Sequence, residues 1–154
     1  MKEGMKMEND QLTHTQLISL LPTQKELKNY LAKCECDAVE IAIHQITTDI
    51  VASPTNHELW CDLAYAFGRN LEMQWRYFYV AHRLCPSSMK ILESLASSCN
   101  MLGDHKQAMH LMEKVIACAS SDEERVNSIE SKNWMQFFEL SRCATPICES
   151  FLHH

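Results

Sequence analysis

Glycine and proline are scarce, with three and four residues in a chain of 154. So few turn formers exclude the turn-dense layout of a β-sandwich or barrel. A surplus of positive charge is missing too: 14 Lys and Arg stand against 20 Asp and Glu, a net charge of −6. Phosphate backbones are bound by such a surplus or by a basic stripe. The one short basic cluster, Lys25 and Lys28, is interrupted by Glu26. Nucleic acid is therefore not expected as a partner. No stretch approaches the roughly 18 to 20 uninterrupted apolar residues of a membrane span, so membrane insertion is not expected either. Leu17 to Leu21 is too short for the apolar core of an export signal. The expected compartment is the cytoplasm, with the nucleus left open.

The sequence also lacks the motifs of common chemistries. There is no Gly-rich phosphate loop, no His-Glu-x-x-His and no Gly-x-Ser-x-Gly. No cysteine has a histidine beside it to make a thiolate, and Cys118 merely precedes a helix start. The pair Cys34-x-Cys36 is too tight for a structural zinc site. His105 and His110, five apart, do not share a helix face. No catalytic residue, metal site or cofactor is expected. Eight cysteines are nevertheless present, at 34, 36, 61, 85, 99, 118, 143 and 148. With no export signal they are expected to be reduced, and Cys61, Cys85, Cys99 and Cys118 fall in apolar patterns where a thiol packs as a small hydrophobe.

What the chain does have is an internal repeat. Pro22, Pro54 and Pro86 are spaced by 32 residues, and each is followed by Thr or Ser. Nine residues after each proline comes Leu-Ala: Leu31-Ala32, Leu63-Ala64 and Leu95-Ala96. The repeats are therefore 22–53, 54–85 and 86–119. Thr23-x-x-Glu26 and Thr55-x-x-Glu58 predict capping boxes, in which the hydroxyl takes a free N–H at the helix start and the Glu reaches back to the cap residue. Ser87 or Ser88 caps the third copy. Apolar spacing then predicts two helices per repeat, roughly 24–34 and 38–52, 56–67 and 71–84, and 88–102 and 105–118. Gly68 and Gly103 mark turns. A helix over about 12–20 precedes the array, and Ser120-x-x-Glu123 opens another over about 122–142. The domain is expected over 11–142, with a cap at 121–142 whose Val126, Ile129, Trp134, Phe137, Phe138 and Leu140 cover the last open apolar surface. Residues 1–10 and 143–154 are expected to be loose tails.

Leu-Ala in the first helix, Gly at the turn, Ala in the second helix and Pro at the repeat end together resemble the tetratricopeptide repeat. The second copy carries the resemblance best, with Trp60, Leu63, Ala64, Phe67, Gly68, Phe78, Ala81 and Pro86. The third adds Leu92, Leu95, Ala96, Gly103 and Ala108; the first has Leu31, Ala32, Ala42 and Pro54. Departures are the short first two copies, Gln74 in place of a small residue, and Asp49 in place of an apolar one. The resemblance implies an all-α fold, a right-handed α-solenoid of about three helix hairpins with a C-terminal capping helix. It also implies a module that binds another protein or a peptide in a concave groove lined by the first helices, an adaptor or scaffold. Carried over by position, the groove residues are Glu26, Asn29, Lys33, Glu58, Cys61, Tyr65, Arg69, Lys90, Glu93, Ser97, Asn100 and Met101.

Chaperone cofactors of this family clamp a C-terminal carboxylate, but here only Lys90 matches, and Asp62 would repel the ligand. Total length, acidity and the trailing helix are also similar to the small chaperones of bacterial type III secretion translocators, which hold an export substrate, and this is the alternative function. A homodimer remains open on other grounds. Trp75, Tyr77, Phe78 and Tyr79 put more aromatics on one helix than a single stripe can bury, so Tyr77 and Tyr79 are candidates for a convex partner surface.

Overall fold

In the computed structural model the described residues are 12–152, with side chains described for 12–139. The expected tail 1–10 lies outside them. Among the described residues the chain is all-helical, with α1 His14–Ser19, α2 Gln24–Leu31, α3 Asp37–Ala52, α4 His57–Ala66, α5 Leu71–Leu84, α6 Met89–Met101, α7 His105–Ala117 and α8 Asp122–Leu152. The repeat spacing thus placed the helices of each copy to within a few residues. The last helix differs: it runs on to Leu152, where a loose tail was expected from 143. Cys143, Ala144, Ile147, Cys148 and Phe151 recur at helical spacing in the sequence, which accounts for the extension. Helices pack mainly on sequence neighbours, and the contacts group the chain into two compact units, Met1–Ser87 and Ser88–His154.

In the first unit α4 and α5 form the central hairpin, and α3 packs on α4. Trp60, Leu63, Ala64 and Phe67 are fully buried, so the Leu-Ala pair of the second copy does bring helices close. The Trp60 indole N–H donates to the Pro54 carbonyl at 2.8 Å, which ties the repeat-end proline to the first helix after it. The first copy behaves differently. Its Ala32 is exposed and only ends α2. Rather than pairing with α3, α2 is held at the far end of α4 and on α5. The Tyr30 hydroxyl donates to the Ala66 carbonyl at 3.1 Å and accepts from the Arg69 amide at 3.3 Å. Its ring lies 4.7 Å from that of Phe67.

Capping follows the sequence in part. Thr23 and Glu26 form the expected box on α2. At α4 the cap is Asn56, whose side chain accepts from the Glu58 amide, so Thr55 takes no part. At α8 the cap moves on by one residue, to Ser121, and the Glu side chain reaches past it to Ser120. The Glu124 amide donates to the Ser121 hydroxyl, and the Glu124 carboxylate accepts from the Ser120 amide. The Ser120 hydroxyl and amide hold that carboxyl below its ordinary range. Ser88 caps α6. Gly103 ends α6 with φ +98°, and the amides of Asp104 and Gly103 donate back to the carbonyls of Cys99 and Asn100. That paired arrangement needs a residue in the left-handed region, hence glycine.

On α5 the aromatic crowding resolves otherwise than expected. Tyr77 is fully buried, four residues after Met73 and four before Ala81 on the core face, and its ring lies between Trp60 and Phe67 at 5.9 and 5.8 Å. It is therefore no part of a convex surface. Tyr79 is exposed and stacks on half-buried Trp75 at 5.3 Å. The Tyr77 hydroxyl is buried without a hydrogen bond. Burial pushes its pKa up to about 12, against the pull of the neighbouring Arg76 cation. In the unfolded chain that hydroxyl titrates near 10. Between the two values the unfolded state loses its proton first, so this contribution to stability is intact below pH 10 and declines as pH rises from 10 toward 12. Tyr77→Phe is expected to leave stability at neutral pH unchanged or higher, because an unpaired buried hydroxyl is costly. It should also flatten the alkaline decline relative to wild type, which paired thermal melts at neutral and alkaline pH will read.

Candidate functional site

The second unit holds the groove. The α6–α7 hairpin buries Leu92, Leu95, Ala96 and Cys99 against Ala108, Leu111, Met112 and Val115. The helix α8 packs on α7 and touches α6, but with an unexpected side of itself. Its buried residues in the described part are Ser128 and Met135, with Ser131, Lys132 and Glu139 half-buried. Val126, Ile129, Trp134, Phe137 and Phe138, expected to be the covering face, are exposed. The cap therefore seals the hairpin with a narrow, mostly polar strip and leaves its aromatic side open.

Between α6 and α8 this leaves a groove of about 790 Å³, lined by Lys90, Glu93, Ser94, Ser97, Asn100 and Met101 on α6 and by Ser131, Trp134, Met135 and Phe138 on α8. The volume lies within the roughly 300 to 1,000 Å³ range of ligand pockets. Serines from both helices and Asn100 give it polar lining. Met101, Trp134 and Phe138, each more than half exposed, form an apolar wall. Lys90 and Glu93 put one charge of each sign on α6. The groove suits an amphipathic ligand, with apolar contact on one side and hydrogen-bonding groups on the other.

Asn100 is the most buried polar member of the groove, 7% exposed. Its side-chain oxygen lies 3.1 Å from His105 Nδ1, and that ring nitrogen lies 3.9 Å from the Glu139 carboxylate. Three helices thus meet through Asn100, His105 and Glu139, and Asn100 positions the groove as well as lining it.

Of the residues that the resemblance implies for a concave groove, the third-copy set Lys90, Glu93, Ser97, Asn100 and Met101 lies in this pocket between α6 and α8. The first- and second-copy residues lie in the other unit. There Glu26 is engaged: its carboxylate accepts from the Thr23 amide and pairs with Arg76 at 3.0 Å. The Thr23 amide and Arg76 hold it below the ordinary carboxylate range, against desolvation. It braces α2 on α5 and is not free for a ligand. Asn29, Lys33, Glu58 and Arg69 are exposed, Cys61 is half-buried, and exposed Tyr65 meets Phe78 edge-on at 5.2 Å. Ser94, Ser131, Trp134, Met135 and Phe138 were missed. For the α8 residues the signal lay in the sequence of that helix, whose apolar residues occupy too wide an arc to bury on one neighbour; Ser94 lies on α6 beside Glu93. Among the described residues no three His, Cys, Asp or Glu side chains converge. Comparison of the chain with protein-family models, curated proteins and solved structures yields no match.

Because Asn100 is buried and bonded while Met101 is exposed, the two neighbours should respond differently to truncation. Asn100→Ala is expected to cost about 1 to 3 kcal/mol of stability, and Met101→Ala no more than about 0.5 kcal/mol. Denaturant melts of both variants check this, and equal losses would contradict the assignment of Asn100 as a brace.

Proposed function

We propose that the chain is a protein–protein interaction module, an adaptor or scaffold of tetratricopeptide-like helix hairpins, that binds a partner's peptide segment in the groove between α6 and α8 and catalyses nothing. The observation that carries this is the groove itself. The five third-copy positions that the repeat assigns to a ligand line it, opposite an exposed aromatic wall from α8. Exposed Trp and Phe beside Met form the kind of surface that anchors a partner's apolar side chain. An amphipathic helix or an extended segment with spaced apolar residues would present apolar anchors to Trp134, Phe138 and Met101 and polar groups to the serines. Lys90 and Glu93 would then select for charges on the ligand and set its direction.

The experiment is a peptide-display selection on the wild-type chain, followed by anisotropy titrations of the selected peptides against variants. Met101→Glu places a carboxylate on the apolar wall at an exposed position and should weaken binding by more than about tenfold with helix content unchanged. The double change Lys90→Glu, Glu93→Lys should alter which peptides are preferred more than how tightly the best one binds. Peptides that bind Met101→Glu as tightly as wild type would remove the groove as the site.

A further inference from the structure

The connection between α2 and α3 holds two cysteines whose spacing, too tight for a zinc site, suits a disulfide. Cys34 and Cys36 are separated by Glu35, and all three lie outside helix and turn. The Cys34 amide donates to the Leu31 carbonyl at 3.1 Å, closing the end of α2. Cys36 is the residue before α3, with extended backbone at φ −125° and ψ 119°, and its side chain makes no capping hydrogen bond. In extended chain, alternate residues face the same side, and two rises of about 3.3 Å set their Cα atoms about 6.6 Å apart. A disulfide closes across roughly 4.4 to 6.8 Å between Cα atoms. Both thiols are free.

The two sulfurs have unequal surroundings. Cys36 is exposed, so a dissolved reagent reaches it, while Cys34 is half-buried. The Cys34 sulfur adjoins the Tyr30 hydroxyl, which holds α2 through the Ala66 carbonyl and the Arg69 amide. Burial raises the pKa of that hydroxyl above its ordinary value, the Arg69 amide opposes the rise, and the Cys34 sulfur adds to it. With an accessible sulfur beside a shielded one, the first meets a reagent from solution and the second resolves the product.

We propose that Cys34 and Cys36 form a thiol-redox site whose substrate is a small dissolved disulfide. The Cys36 sulfur, deprotonated, attacks one sulfur of the reagent. A mixed disulfide forms, the reagent's S–S bond breaks, and one thiol leaves with the proton that Cys36 gave up. The Cys34 sulfur then attacks the Cys36 sulfur of the mixed disulfide, closing the Cys34–Cys36 bond and releasing the second thiol. Two electrons pass from the cysteine pair to the reagent, and excess dissolved thiol reverses both steps. The site draws on none of the groove residues, so it stands apart from the peptide-binding reading.

The probe is oxidised glutathione, applied to the folded full chain at neutral pH. The remaining thiols are then blocked, and the chain is unfolded and cut after glutamate. Cleavage after Glu26, Glu35 and Glu40 yields fragments 27–35 and 36–40, each with one cysteine. They are expected to stay joined until a reductant is added. Cys34→Ser should instead retain glutathione on Cys36, and Cys36→Ser should react at least about tenfold more slowly. Cys61→Ser should join the same two fragments as wild type does. In the oxidised chain the Tyr30 titration, read by phenolate absorbance, should move to lower pH, because a disulfide sulfur carries no charge. Tyr30→Phe should remove that shift. Fragments that separate without reductant, or that are joined only after treatment in urea, overturn the proposal. Equal rates for the two serine variants overturn the choice of Cys36 as the attacking sulfur. An unmoved Tyr30 titration overturns the link between the cysteine pair and the anchor of α2.

Discussion

A helix hairpin carries more apolar surface than its own two helices can hide from water, and this constraint shapes both units of the chain. In the first unit the α4–α5 hairpin is closed by α3 and by α2, and the closure is aromatic: Tyr30, Phe67, Tyr77 and Trp60 run ring to ring. The polar groups in that chain are mostly satisfied by backbone, with Tyr30 bridging Ala66 and Arg69 and Trp60 bonding Pro54. The Tyr77 hydroxyl is buried without a hydrogen bond, with the Arg76 cation beside it.

In the second unit the same need is met by α8, and the solution is lopsided. Ser128 and Met135 occupy the contact, and the hairpin is closed by a strip too narrow to hide the aromatics of the closing helix. Hydrophobic burial alone would turn Trp134, Phe137 and Phe138 inward. The arrangement around Asn100, His105 and Glu139 gives α8 a polar reason to keep its present rotation. Part of the exposed aromatic side then walls the groove shared with α6. Retaining so much exposed apolar area is typical of surfaces that meet partners.

The repeat was legible because its signals are local. Proline at the repeat end, Leu-Ala nine residues on and glycine at the third turn each act through backbone geometry or close packing within one hairpin, and helix positions followed from them. Caps were legible to within a residue: Thr23 with Glu26 formed as written, while Asn56 displaced Thr55 and Ser121 displaced Ser120. Several side chains compete for the same few N–H groups there, and small differences in backbone direction choose the winner. Lys90, Glu93, Ser97, Asn100 and Met101, which the resemblance to the tetratricopeptide repeat singles out, share one side of α6, since residues three and four apart fall on one helix face. The α8 half of the candidate site was not legible, because Trp134 and Phe138 read as core in a helix whose rotation had to be assumed.

The sequence by itself determined the helical class and the hairpin spacing, both consequences of period and backbone chemistry within a few turns. Only tertiary structure decided that Ala32 stays exposed, that Glu26 braces α2 on α5, that Tyr77 fills the core and that the aromatics of α8 face outward. Each of these depends on which neighbour a helix face meets. An amphipathic pattern says that a face must be covered; it does not say which of two crowded faces wins the neighbour, and that choice rests on shape and on side-chain pairs far apart in the chain.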